Sequence, residues 1–218
     1  MHPGKRNKPR APKIQKKTLG YRILAERLML AGFILIGLSA FLIGTTLWPI
    51  MKEEIKYTVR QTSGQQSPDT PLVPKNTEFG LVIPKIGANS TIVPNVDPYD
   101  SAVYQKALMK GVAHAKGSAF PGDGRNTFLF AHSSVNFFEA SRYNAVFYLL
   151  SKMDKNDTIY VFYKHMRFSY AVTDIRIVPS SAVEYLFTVP KTETVTLMTC
   201  WPPGMSNQRR IVIAERLP

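Results

Sequence analysis

The pattern of hydrophobic and polar positions divides the chain into one long apolar segment and a later series of short apolar runs. Residues 28–50 read LMLAGFILIGLSAFLIGTTLWPI and contain no charged side chain. A helix of about 20 apolar residues crosses the hydrocarbon core of a bilayer. The segment exceeds the roughly 7–15 apolar residues of a signal peptide, and Trp48, Pro49 and Lys52 do not resemble a cleavage site. The pattern therefore predicts an uncleaved transmembrane anchor.

Charge is distributed unevenly on the two sides of this anchor. Residues 1–27 hold nine Lys and Arg side chains against the single acidic residue Glu26, whereas the charges of residues 52–56 cancel. The positive-inside rule then predicts a cytoplasmic N-terminus and an extracellular remainder. The net charge of +13 lies mostly in the tail, where it favours contact with anionic lipid over binding of nucleic acid by the folded part.

The stretch after the anchor has the composition of a connecting segment. Residues 57–77 contain Gly64, Pro68 and Pro71 with few apolar side chains, which is typical of an exposed linker. The predicted organisation is a basic cytoplasmic tail at 1–27, an anchor at 28–50, an extracellular linker at 51–77 and a catalytic domain at 78–218.

The folded part is dominated by short runs of β-branched and aromatic residues that Gly and Pro interrupt. Strands are predicted at 79–83, 91–93, 126–131, 158–163, 167–178, 194–200 and 209–215. Helical patterns occur at 102–110, 137–144 and 182–187. Many short strands with few short helices predict a mainly β protein, folded as a closed or nearly closed barrel.

The only cysteine of the chain, Cys200, lies at the end of a predicted strand and precedes the loop sequence WPPG. A single thiol excludes a disulfide within the chain, and leaves two interpretations, a small buried hydrophobe or a reactive nucleophile. A reactive thiol needs a nearby base or acid. Apart from His2 in the tail, spacing leaves His114, His132 and His165 open; His132 shares the strand-end position of Cys200, and His165 fits an exposed turn.

Two adjacent arginines begin the last predicted strand, across the loop from Cys200. Alternation places Arg209 on the face of Ile211 and Ile213, and Arg210 on the opposite face. An arginine near the thiol could stabilise negative charge that develops during a reaction. Either arginine could instead be a solvated strand start, because the sequence does not show which face is inside.

Three separated motifs resemble the sortase family. The strand end TLMTC at 196–200 resembles the Thr-Leu-x-Thr-Cys signature, and TCWPPGMSNQRRIVIAER resembles the family spacing that ends on Arg209. The stretch KGVAHAKGSAFPGDGRNTFLFAH resembles the segment whose last residue, here His132, is catalytic. The resemblance covers residues 78–218, with Ala131 and Ser133 as departures on either side of the histidine.

The resemblance implies a sortase-type closed β-barrel and a cysteine transpeptidase. Cys200 would be the nucleophile, His132 the acid, Arg209 the oxyanion or substrate donor, and Thr199 a part of the substrate pocket. The implied partners are surface proteins with a Leu-Pro-x-Thr-Gly-like sorting motif and an amine acceptor from peptidoglycan precursor or a pilin. No cofactor is expected; some relatives bind Ca²⁺, but this sequence shows no convincing acidic cluster for it.

Two alternatives to the transpeptidase stay open at the level of sequence. One is a non-catalytic surface module that binds peptide or cell wall, and the other is a cysteine endopeptidase that uses water as acceptor. The Cys-x-Pro-x-Gly spacing resembles pilin-polymerising sortases, but residues 57–77 lack their Asp-Pro-aromatic lid motif, and the similar 97–99 falls inside the barrel region. Anchoring of proteins to the wall is therefore favoured.

Overall fold

The computed structural model describes residues 15–62, 73–133 and 146–218. The chain separates into two compact units, Met1–Lys52 and Glu53–Pro218. The helix predicted at 137–144 and the tail residue His2 lie outside the described residues.

One long helix, α1 (Gln15–Thr62), contains the predicted anchor. Its part Tyr21–Thr45 is long and apolar enough to cross a membrane, and none of the residues there is buried. The helix begins inside the predicted tail and extends into the predicted linker. Residues 50–62 contain no Gly or Pro, so nothing in them stops a helix before Gly64.

Within the described residues, eight strands close into a barrel in the order β1-β2-β3-β4-β7-β8-β6-β5, which confirms the predicted fold class. The strands are β1 (Phe79–Ile83), β2 (Ala88–Val96), β3 (Val112–Ala115), β4 (Asn126–Phe130), β5 (Thr158–Tyr163), β6 (Met166–Pro179), β7 (Thr194–Trp201) and β8 (Gln208–Arg216). Strand pairs β2/β3 and β4/β7 are parallel, and the other pairs are antiparallel.

Short helical elements connect these strands. They are α2 (Ser101–Leu108), α3 (Glu184–Phe187) and the 3-10 turns Pro84–Ile86 and Tyr148–Lys152. Asp100 caps α2, because its carboxylate accepts from the backbone N–H groups of Ala102 and Val103.

Alternation along β7 and β8 decides which side chains face the inside of the barrel. Val195 and Leu197 on β7 pair with Ala214 and Val212 on β8, and all four belong to the buried core. The same periodicity places Thr199 and Arg210 on the inner face, and Cys200 and Arg209 on the outer face. The face on which Arg209 lies is therefore the outer one, a point that the sequence left open.

Candidate active site

Cys200 is the free thiol of the site, and it is half-buried near the end of β7. The strand has a paired neighbour on each side, parallel β4 and antiparallel β8. The thiol on the outer face is thus flanked by residues of two different strands.

Arg209 is the flanking residue on β8. The antiparallel register sets Cys200 directly opposite Arg209. Arg209 Nη1 donates to the carbonyl oxygens of Ser206 at 2.8 Å and Gln208 at 3.0 Å. These bonds hold the guanidinium against the connection between β7 and β8, while Nε and Nη2 carry the other N–H donors of the planar fork.

His132 is the flanking residue on the β4 side. The last Cα pair of the parallel register is Phe130 and Met198, and the contact continues because Ala131 N–H donates to the Met198 carbonyl at 3.2 Å. Counting two residues onward on both strands places His132 level with Cys200 on the outer face. Neighbouring strands lie roughly 4.8 Å apart, and β4 ends at Phe130, two residues before His132.

Arg210 has a different environment from Arg209. Its Nε donates to the carbonyl of Leu150 at 3.2 Å and its Nη2 to that of Ser151 at 3.1 Å, while its guanidinium lies 5.3 Å from the ring centre of Trp201. Burial lowers the pKa of Arg210 from its ordinary value, although the nearby carboxylate of Asp154 opposes this. The hydrogen bonds of Arg210 connect the 3-10 turn Tyr148–Lys152 to β8 of the barrel.

Thr199 faces away from the thiol that follows it. Its side chain is buried on the inner face, and Oγ1 donates to the carbonyl of Ala131 at 2.8 Å. The substrate contact that the resemblance implies for Thr199 stays a prediction, since its hydroxyl is used between strands in this structure.

Comparison with known proteins decides the family. The family model of the sortase domain matches residues 81–217, more than half of the chain. The chain belongs to the sortase family. No curated protein sequence matches it.

Solved structures support the same assignment of the sortase fold. Sortase C-1 from Actinomyces oris is 26% identical over 75% of this chain and 84% of its own, with a TM-score of 0.56. Group B Streptococcus Pilus Island 1 Sortase C2 is 25% identical over 67% and 77%, with a TM-score of 0.55. A lid mutant of sortase A from Corynebacterium diphtheriae is 24% identical over 70% and 76%, with a TM-score of 0.54.

The two other described histidines of this sortase lie away from Cys200. His165 is an exposed residue of the β5–β6 turn, where Nδ1 lies 2.9 Å from Thr77 Oγ1 and Nε2 lies 3.2 Å from Glu78 Oε2. His114 on β3 is fully buried, and burial lowers its pKa although the Ala119 carbonyl and Asp123 oppose the shift. Of the three open histidines, His132 is the one that follows the end of β4, the strand paired with the strand of Cys200.

A segment for which the sequence predicted only a helical pattern at 182–187 contacts the outer face of the sortase barrel. It connects β6 to β7 and includes α3. Asn126 Nδ2 donates to the Tyr185 carbonyl at 3.2 Å, and Arg176 Nη1 donates to the Tyr185 hydroxyl at 3.3 Å. Asn126 begins β4, roughly 20 Å along the strand before His132, so this contact holds the segment at the end of β4 that is far from the site. The buried amide of Asn126 carried no recognisable signal in the sequence.

Two acidic side chains near the 3-10 turns of the sortase form ion pairs with one lysine. Lys85 Nζ lies 2.6 Å from Asp154 Oδ2 and 2.9 Å from Asp157 Oδ2. Although burial acts to lower it, the pKa of Lys85 is raised by these two carboxylates. Within residues 15–62, 73–133 and 146–218, no three His, Cys, Asp or Glu side chains form a group that could hold a metal ion.

Proposed function

We propose that this sortase is a membrane-anchored transpeptidase that cleaves a Leu-Pro-x-Thr-Gly-like sorting motif and joins the protein to an amine. The acceptor is a peptidoglycan precursor of the cell wall or a pilin. The observation that supports the proposal is the register that sets Cys200 directly opposite Arg209 on the outer face of the barrel. On the other side of β7 lies β4, the strand that leads to His132.

In the proposed acylation step, the Cys200 thiolate attacks the carbonyl carbon of the threonine in the sorting motif. Arg209 donates hydrogen bonds to the oxygen on which negative charge develops. The tetrahedral intermediate then collapses, the C–N bond breaks, and His132 as imidazolium gives its proton to the leaving amine. The product is a thioester between Cys200 and the threonine carbonyl.

The second proposed step transfers the acyl group. The incoming amine attacks the thioester carbonyl, neutral His132 takes the proton from the amine, and Cys200 leaves as thiolate. The bond count balances, since one amide is broken and one is formed. These steps need no metal or organic cofactor.

The membrane arrangement is part of the same proposal. The helix Tyr21–Thr45 would anchor the enzyme, and the basic residues before it would stay on the cytoplasmic side. The barrel would then act outside the cell on proteins that arrive at the surface.

The test uses the full-length protein in detergent micelles with a fluorescent sorting peptide, with and without a triglycine acceptor. We expect a peptide–triglycine product that forms only when both substrates are present, and a mass increase on Cys200 that hydroxylamine removes. The Cys200→Ala variant serves as the matched control and should form neither. Cleavage that ignores triglycine would identify an endopeptidase, and peptide binding without an adduct would identify a non-catalytic module; either result contradicts the proposal.

A further inference from the structure

A side-chain hydrogen bond joins the ends of β4 and β7 directly behind the two reacting groups. Thr199 Oγ1 donates to the Ala131 carbonyl oxygen at 2.8 Å, and these two residues immediately precede Cys200 and His132. Thr199 is 3% exposed and Ala131 is 5% exposed. The bond therefore connects the strands of the nucleophile and the acid on the side of the sheet that faces the core.

The regular backbone pairing of these two strands ends just before the reacting residues. The Cα register reaches Phe130 and Met198, and Ala131 N–H still donates to the Met198 carbonyl. The Thr199 hydroxyl adds one further connection, which binds the carbonyl of the residue before His132. A strand end that is held by such a bond has less freedom to separate from its neighbour.

We propose that Thr199 is a positioning residue, which holds His132 at the correct distance from Cys200 without contacting the substrate. The proposal deepens the proposed function and rests on it. Loss of the hydroxyl would leave the buried Ala131 carbonyl without this donor, and the end of β4 would shift to find another. A displacement of 1 Å at a catalytic group can reduce a rate by about 100-fold.

A positioning role and a substrate contact differ in the kinetic constant that they change. If Thr199 only orders His132 and Cys200, its loss lowers kcat and leaves KM unchanged, because the peptide is bound by other groups. If Thr199 instead contacts the peptide, its loss raises KM. A positioning role also changes the free enzyme, since the imidazole governs the reactivity of the thiol before any substrate binds.

The experiment compares Thr199→Val, which keeps the shape and removes the hydroxyl, with Thr199→Ser, which keeps the hydroxyl. Peptide transfer gives kcat and KM for the full-length protein in detergent. Iodoacetamide alkylation of Cys200, followed from pH 5 to 9 without substrate, reports the thiol–imidazole pair. For Thr199→Val we expect kcat to fall by about 10- to 100-fold at unchanged KM, with a shifted alkylation profile, and Thr199→Ser should restore both.

Thr196→Val is the matched control. Thr196 Oγ1 donates to Asn126 Oδ1 at 2.8 Å, so it is also a buried threonine that bonds β7 to β4. It lies three residues from Thr199, roughly 10 Å along the strand. We expect it to lower the melting temperature to a similar degree while kcat and the alkylation profile stay normal. If Thr199→Val unfolds, Thr199→Ala takes its place in every comparison.

Three results would overturn the positioning role. They are a rise in KM alone in Thr199→Val, an alkylation profile identical to that of the wild type, and a control that loses as much kcat as Thr199→Val. A wild type that transfers no peptide, combined with an alkylation profile that shifts in Thr199→Val and returns in Thr199→Ser, would remove the proposed function and leave the positioning role standing.

Discussion

Cys200 and Arg209 form a directly opposed pair across the antiparallel strands β7 and β8. Such a pair keeps its two side chains on one face of the sheet with Cβ atoms about 4.5–5.5 Å apart. The next pair along the same strands is Thr199 with Arg210, and it faces the opposite way. Two consecutive arginines are thereby directed to different parts of the molecule.

The first prediction separates these two arginines. Arg209→Ala should lower the acylation rate by about 10²–10³-fold, the usual cost of removing one oxyanion donor. Arg209→Lys should recover little, since an ammonium is a compact charge without the planar fork. Rapid mixing with the sorting peptide and mass detection of the Cys200 thioester measure the acylation step itself.

Arg210→Ala is the matched comparison. It removes the bonds to the Leu150 and Ser151 carbonyls and the contact with Trp201. We expect the free energy of unfolding to fall by about 2–4 kcal/mol, with acylation largely kept at temperatures where the variant is folded. An inactive but stable Arg210→Ala together with an active Arg209→Ala would contradict the assignment of roles.

The second prediction concerns stability in mild acid. Burial lowers the pKa of His114 below its unfolded value of about 6.5, so the unfolded chain binds a proton that the folded chain does not. The stability of the barrel should therefore fall as the pH drops through the ordinary histidine range, and the decline from this group should stop below its folded pKa. Melting temperatures measured between pH 8 and pH 5 test how steeply the stability depends on pH.

His114→Gln isolates this effect. The variant loses the ring contacts with Phe79 and Phe120, so it should be less stable at pH 8, but its melting temperature should depend less on pH. Thr194→Val is destabilised through a different buried hydrogen bond, to Asn126, and should keep the wild-type slope. An unchanged slope in His114→Gln would assign the acid sensitivity to other groups.

The third prediction concerns metal ions. Peptide transfer should continue in the presence of EDTA, and added Ca²⁺ should not increase it. Asp154 and Asp157 are two carboxylates near the 3-10 turns, and both already form an ion pair with the Lys85 ammonium. Lys85→Met should leave two carboxylates facing each other, so Ca²⁺ should raise the melting temperature of this variant and not that of the wild type. Transfer that EDTA abolishes and Ca²⁺ restores would show that a metal site exists elsewhere in the protein.

The fourth prediction concerns orientation in the membrane. In a Cys200→Ala background, a cysteine at Ser63 should react with a membrane-impermeant maleimide on intact cells, whereas a cysteine at Asn7 should react only after permeabilisation. The excess of Lys and Arg before the helix predicts this orientation, with the N-terminus in the cytoplasm. The reverse labelling would place the barrel in the cytoplasm and remove the proposed access to surface proteins.

Strong local patterns in the sequence predicted much of the barrel. The bounds of β1 and β5 agree with the predicted 79–83 and 158–163, because both are short runs rich in apolar, aromatic and β-branched residues with polar or Pro residues on either side. β3 was missed. Its four residues VAHA are all buried, and their extended conformation depends on pairing with β2 and β4, which are contacts that no short sequence pattern contains.

The site residues also differ in how far the sequence could predict them. Strand ends and motif spacing predicted Cys200, His132 and Arg209 as the site. The register sets Cys200 opposite Arg209, and the roles of all three residues stay predictions. The resemblance implied a substrate-pocket role for Thr199, and alternation turns this residue to the face opposite that of Cys200. Which face is interior depends on how the sheet closes, so the contact of Thr199 with Ala131 could be found only in three dimensions.

The parallel pairing of β4 with β7 has a consequence for biosynthesis. Residues that lie side by side in this pair are 68 positions apart in sequence, and contacts of such long range form late in folding. The strand opposite the thiol, β8, follows β7 in the chain and completes the surroundings of Cys200. A chain whose synthesis has not yet reached β8 therefore lacks the residue that lies opposite Cys200. The Cys200–Arg209 pair is complete only when the last strand of the barrel has paired with β7.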